Sequence, residues 1–142
     1  MKNSPLRLER SFFTKVSVLA HPDGKPDGKW DIETTPEVSR QDEGKKWAVS
    51  LRVCVKQIGD VRPPYQAEVE AVGWFSVEDS WPKERVEQLV HANGCALLYS
   101  AVREMICNTT SRGPWPMLLI PSVSFVDSAP KPTKEKTLPK ND

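Results

Sequence analysis

The chain has 142 residues, with 20 Lys and Arg against 19 Asp and Glu, 38% hydrophobic residues and a mean hydropathy of -0.50. That is enough for one domain with a core of ordinary size and too little for a second, and the near-zero net charge removes the long-range field that would draw it to nucleic acid or an anionic membrane. The apolar run near the N-terminus, Val16 to Ala20, is too short for a signal peptide or a membrane span, so the expected location is the cytoplasm.

In chain order, Leu6 to Ala20 reads as a strand with two partly apolar faces, Phe12, Val16 and Val18 on one and Phe13 and Leu19 on the other. Such a strand lies between layers or at an oligomer interface rather than over plain solvent. His21-Pro22-Asp23-Gly24 and Lys25-Pro26-Asp27-Gly28 read as two successive turns. The segment from Lys29 to Gly44 reads as a polar crossing loop, because Pro36 and Gly44 argue against helix. Lys46 to Ile58 is the clearest strand, with Trp47, Val49, Leu51, Val53 and Val55 on its core face. Pro63-Pro64 sits in the connection to the next strand, Tyr65 to Val77, and the shortness of that connection makes the pair antiparallel.

Glu78 to Pro82 has helix-start chemistry, with Asp79 or Ser80 as N-cap and Pro82 near the first turn. A short helix carrying Val86, Leu89 and Val90 is expected, broken at His91-Ala92-Asn93-Gly94. From Cys95 a second helix sets Leu98, Ala101, Val102, Met105 and Ile106 on one apolar stripe, with Gly113 as a left-handed cap and Pro114 as the stop. Met117 to Val126 reads as a final strand that Pro121 confines to an edge or a bulge. Beyond it, residues 127–142 are rich in Pro and Lys and are expected to be disordered.

Groups that could do covalent chemistry are sparse. His21 lies in a turn and His91 at the helix break, neither at metal-ligand spacing, and Glu68 and Glu70 read as an acidic strip on one strand face. GKPDGKW lacks the spacing and ending of a phosphate-binding loop. Cys54, Cys95 and Cys107 are odd in number and lack CxxC spacing, which is the usage of buried reduced thiols. The chain is therefore expected to be no enzyme and to need no metal or cofactor. Its unusual feature is five Trp, three of them (Trp30, Trp81, Trp115) in or beside predicted loops, where they either pin loops to the core or line an apolar groove.

The run YSAVREMICNTTSRGPWPMLLIPSVSF resembles the SecB protein-export chaperone family: a long helix with Arg103-Glu104 at its centre, a Ser-Arg-Gly stop, an aromatic-proline turn and an apolar-Pro-x-x-Phe segment. The likeness extends upstream through Thr14-Lys15, Trp30, Val49-Ser50-Leu51-Arg52-Val53, Glu68-Val69 and Gly73-Trp74-Phe75, over roughly residues 6–126. It implies an α+β fold in which a four-stranded antiparallel sheet carries a long helix on one face, assembled as a dimer or a dimer of dimers. It also implies a holdase that binds non-native polypeptides and passes them to SecA, or one that serves a dedicated client such as an antitoxin. On this reading residues 1–126 form the chaperone domain. Clients would meet Trp30, Tyr65, Trp74, Trp81 and Trp115, and subunits would meet through Phe12, Val16, Val18, Leu98, Val102 and Met105. The chain departs from the family in having Val16 and Ala20 at first-strand positions that are usually acidic, so Glu68 alone is left as the SecA contact. It also has no predicted second helix after the final strand. The rival reading is an adaptor that binds one folded partner, and a weaker one is a small-ligand binder using the aromatic residues.

Overall fold

The computed structural model describes residues 2–42 and 45–130. Four strands, β1 (Leu6–Ala20), β2 (Lys29–Gln41), β3 (Lys46–Ile58) and β4 (Tyr65–Val77), form one antiparallel sheet in the order β1-β4-β3-β2. Its central pair obeys the period-2 pattern closely. Trp47, Val49, Leu51, Val53 and Val55 of β3, with Tyr65, Ala67, Val69, Ala71 and Phe75 of β4, are all buried under the helical layer. Each such side chain taken from water contributes roughly 1.5–3 kcal/mol for a Val, Leu or Phe.

The second strand corrects the expectation of a crossing loop. Trp30, Ile32, Thr34, Pro36 and Val38 are half-buried on the helix-bearing side, while Asp31, Glu33, Thr35, Glu37 and Ser39 are exposed on the other. Pro36 is tolerated because β2 is a sheet edge, where a missing N–H can face solvent instead of a neighbouring strand. The crossing is made by residues 21–28 alone, which carry the chain from the β1 edge to the opposite one. Each predicted turn closes, Gly24 N–H donating to His21 O at 2.9 Å and Gly28 N–H to Lys25 O at 2.9 Å. The double turn rests on the β3–β4 connection so closely that a Cβ on Gly24 or Gly28 would lie 2.6 Å from Pro63 O or 2.5 Å from Arg62 O. Only glycine fits there.

The helical layer is also more continuous than its sequence suggests. A 3₁₀ turn (Lys83–Arg85) leads into α1 (Val86–Leu89), a π turn (Val90–Gly94) and α2 (Cys95–Thr110) without a break. Asn93 and Gly94 do not end the helix, because Gly94 is buried against Val49 and Phe75 and packing outweighs propensity. The extra residue of the π turn gives a five-residue step from Val90 to Cys95, after which Leu98, Val102 and Ile106 continue the buried stripe at steps of three and four. Neither Asp79 nor Ser80 caps the start; Pro82 occupies that position. Gly113 is not left-handed, since among the described residues only Gly59 and Asp42 have positive φ.

The expected final strand is absent. Residues 114–125 carry no regular secondary structure and lie beside α2 without joining the sheet, so the count of four strands is met by β2 instead. Order also extends past Asp127. Ala129 N–H donates to Val126 O at 3.2 Å, Ala129 is buried, and Ser128 Oγ lies 3.1 Å from His91 Nε2. The part of the expected disordered tail from residue 131 onward lies outside the described residues.

Candidate functional site

The segment after α2 is the least conventional part of the fold and is here called the strap. It starts at a joint made by Tyr65. The Tyr65 hydroxyl donates to Thr110 O at 3.1 Å and accepts from Trp115 N–H at 3.2 Å, and the Trp115 indole N–H donates to His21 O at 3.1 Å. A Cβ on Gly113 would collide with that hydroxyl, which explains the glycine at the stop. Thr110, buried at the helix end, donates to Ile106 O and accepts from Leu118 N–H at 2.9 Å. Along the strap, Ile120 and Phe125 are buried and Leu118 and Val123 half-buried, whereas Met117 and Leu119 are 51% and 56% exposed.

At 100° per residue, α2 carries four strips. Leu98, Val102 and Ile106 face the sheet; Tyr99, Arg103 and Cys107 face the strap; Ala96, Ser100, Glu104 and Asn108 are exposed; Leu97, Ala101 and Met105 form the fourth flank, with Leu97 47% exposed. On the same side of the sheet, Leu8 and Val16 of β1 are also exposed.

The opposite sheet face bears no helix. Its centre holds Phe12, Ala48, Val72 and Trp74, the last 38% exposed, with the Arg10 guanidinium 5.0 Å from the Phe12 ring centroid. Around them the charges are paired across strands. Glu68 takes Lys15 at 3.0 Å and Arg52 at 2.6 Å, and Lys56 meets Glu33 at 2.7 Å. Hydrogen bonds from Lys15 and then Arg52 hold the Glu68 carboxyl below its usual range, and the Lys56 hydrogen bond does the same for Glu33. Burial pushes the Cys95 thiol up to about 12, so it stays protonated. Among the described residues no group of three or more His, Cys, Asp or Glu could hold a metal ion, and no helix is long and apolar enough to cross a membrane.

The five candidate client-binding residues do not converge. Trp30 packs on the core from the helix-bearing side of β2, and Trp74 stands on the other face. Tyr65 is buried and, with Trp115, forms the strap joint. Trp81 is half-buried at the helix start, beside a shallow depression lined by Arg85, Gln88, Leu89, Ala92 and Asn93. The interface set divides as well. Leu98 and Val102 are fully buried in the chain's own core and have no surface to offer a second subunit. Phe12 lies on the helix-free face, in register with Val72, whereas Val16, Val18 and Met105 are on the helix side and partly open. Sequence reasoning missed the exposed Leu8, Leu97, Met117, Leu119 and Val126. The continuous apolar run Met117 to Ile120 carried the signal for the strap, but such a run cannot say whether the partner is a strand or a helix.

The family described as Preprotein translocase subunit SecB matches residues 11–128, and the chain belongs to the SecB family. It is 25% identical to the protein-export protein SecB of Anaplasma phagocytophilum over 66% of this chain and 61% of that protein. It is 27% identical to the SecB of Psychrobacter arcticus, over 84% of this chain and 82% of that one. Among solved structures it resembles a SecB-like chaperone of Mycobacterium tuberculosis in complex with a ChAD peptide from the HigA1 antitoxin, with a TM-score of 0.67 at 17% identity, covering 84% of this chain and 91% of that one. A Streptococcus agalactiae protein of unknown function shares the fold more distantly, with a TM-score of 0.51 at 17% identity over 84% of this chain and 99% of that one. Members of the SecB family are chaperones, not enzymes.

Proposed function

We propose that the protein is a SecB-like holdase that keeps non-native polypeptides extended by covering their apolar segments. The observation that carries this reading is the amount of apolar side chain left open on so small a chain: Met117 and Leu119 on the strap, Leu97 on α2, Leu8 and Val16 on β1 and Trp74 on the helix-free face. Apolar side chains left open in this way form surfaces that bind other chains. We divide them by place. Val16, Val18, Leu97 and Met105 are the subunit contact of a homo-oligomer, and the open strap side chains Met117 and Leu119 are the client surface. The peptide complex of the M. tuberculosis relative supports binding of a peptide segment, and a dedicated client is as compatible with the surface as general export. Glu68 is already engaged by Lys15 and Arg52, so we infer that a SecA contact, where one is made, does not run through this carboxylate.

The test is suppression of aggregation of unrelated, chemically unfolded proteins at near-stoichiometric ratio, followed by light scattering. Holdase activity predicts a dose-dependent loss of scattering in a reaction that consumes no nucleotide. No suppression by the assembled protein would favour the adaptor reading instead.

A further inference from the structure

Arg103 and Glu104, at the centre of the motif by which α2 is recognised, have no part in the surfaces assigned above. The Arg103 Nε–H donates to Ile120 O at 2.8 Å from a half-buried position. One turn earlier the Tyr99 hydroxyl donates to Pro121 O, and one turn later the Cys107 thiol faces Leu118 O at 3.6 Å. Steps of four keep these three side chains on one line of the helix, and each meets a strap carbonyl. Among the described residues, no backbone–backbone hydrogen bond ties residues 114–125 to the rest of the chain. Beyond the Tyr65–Trp115 joint, the strap's path is therefore set by side chains of α2 and by the burial of Ile120 and Phe125, with Phe125 held edge-on by Tyr99 at a ring separation of 5.9 Å. Of the three donors Arg103 is the charged one, and a charge-assisted bond is roughly twice as strong as a neutral one. Burial pushes the Tyr99 phenol up, away from ionisation, which keeps its proton available to the carbonyl.

We infer that Arg103 is a positioning residue for client binding: with Tyr99 and Cys107 it forms a ladder of donors that holds the strap backbone in the one path that turns Leu118 and Ile120 inward and leaves Met117 and Leu119 open to an extended apolar client. The inference rests on the holdase reading. A carbonyl is the same whatever side chain follows it, so the ladder fixes the path without constraining which residues the strap exposes. The apolar face can thus be tuned to a client while its support stays the same.

Arg103→Met keeps the aliphatic stem and removes the donor. Two readouts separate positioning from general stability. The first is the alkylation rate of Cys107, which lies under the strap, against that of Cys95, which lies in the core. The second is the affinity for a fluorescein-labelled, reduced and carboxymethylated α-lactalbumin, a permanently unfolded probe. The expected result is Cys107 alkylation about tenfold faster, the scale of one lost charged hydrogen bond, with Cys95 still protected and client affinity down about tenfold; Arg103→Lys recovers part of both. Faster Cys107 alkylation with unchanged client affinity would overturn the inference, and so would unchanged alkylation. If Arg103→Met does not fold, Tyr99→Phe reads the same ladder while keeping the ring on Phe125. Wild-type protein that does not bind the probe sinks the holdase reading itself, and the alkylation rates then decide alone whether Arg103 positions the strap.

Discussion

Glu68 shows how a single residue's neighbours redirect its role. Its place on β4 makes it look like an open acidic handle, but Lys15 from β1 and Arg52 from β3 close on it from both sides, so one carboxylate joins three strands. Its pKa is depressed from an ordinary 4.5, first by the Lys15 hydrogen bond and then by that of Arg52. The folded state thus holds the Glu68 proton more weakly than the unfolded chain does. The resulting stabilisation is complete above about 4.5 and is lost as pH falls through the lower folded value. Glu33, held down by Lys56, acts in the same sense. Urea unfolding midpoints of the wild type should accordingly fall as pH drops below 4.5, and Glu68→Gln should flatten part of that fall. High salt should shrink the difference, because the groups are at the surface. An equally steep fall in Glu68→Gln would remove this cluster as its cause.

The elements differ in how far they could be read from the sequence. The core faces of β3 and β4 and, in α2, Leu98, Val102 and Ile106 were legible because a regular period sets them on one face, where they are buried; Ala101 and Met105, expected on the same stripe, are only half-buried. The edge strand β2 was not, although Trp30, Ile32, Thr34 and Val38 alternate with polar residues just as regularly. In the sequence Pro36 reads as a breaker, whereas at an edge it is a guard against further pairing. Replacing it should therefore do little to the fold: Pro36→Val is expected to change the unfolding free energy by less than about 1 kcal/mol, because the edge gains strand propensity and the unfolded chain gains freedom. It should also raise the concentration-dependent aggregation of the protein, followed by static light scattering. A large loss of stability would mean that the proline fixes the strand path itself. The helix break at Asn93-Gly94 and the final strand failed for a related reason. Local propensity reports the chain alone, whereas the sheet beneath Gly94 and the helix beside the strap decide both outcomes. Of the candidate site, the aromatic residues were visible as types, but their roles as joints depended on partners such as His21 and Thr110, distant in sequence.

At the scale of the whole molecule, one chain completes its core and still leaves Leu97 open on the Leu97, Ala101 and Met105 flank of α2, with Val16 of β1 open on the same side of the sheet. If that flank is the subunit contact, Leu97→Glu should lower the mass measured by light scattering toward the 16.0 kDa of one chain while leaving the circular dichroism of the fold in place. An unchanged mass would move the contact elsewhere. The aromatic residues of the strap joint should be unaffected, since Tyr65 on β4 and Trp115 on the strap meet at the far, C-terminal end of α2.

The sheet order also bears on how the protein is made. Among the described residues the first strand is hydrogen-bonded only to the fourth, from Leu6 opposite Val77 to Ala20 opposite Tyr65, while β2, β3 and β4 pair with their neighbours in sequence. On a ribosome the β2-β3-β4 meander can close as it emerges. The Val16 to Ala20 stretch, by contrast, has no native partner until β4 has left the exit tunnel, since contacts of long sequence separation form late. Until then the nascent chain carries its own exposed apolar segment, the kind of segment that the finished protein is proposed to hold in others.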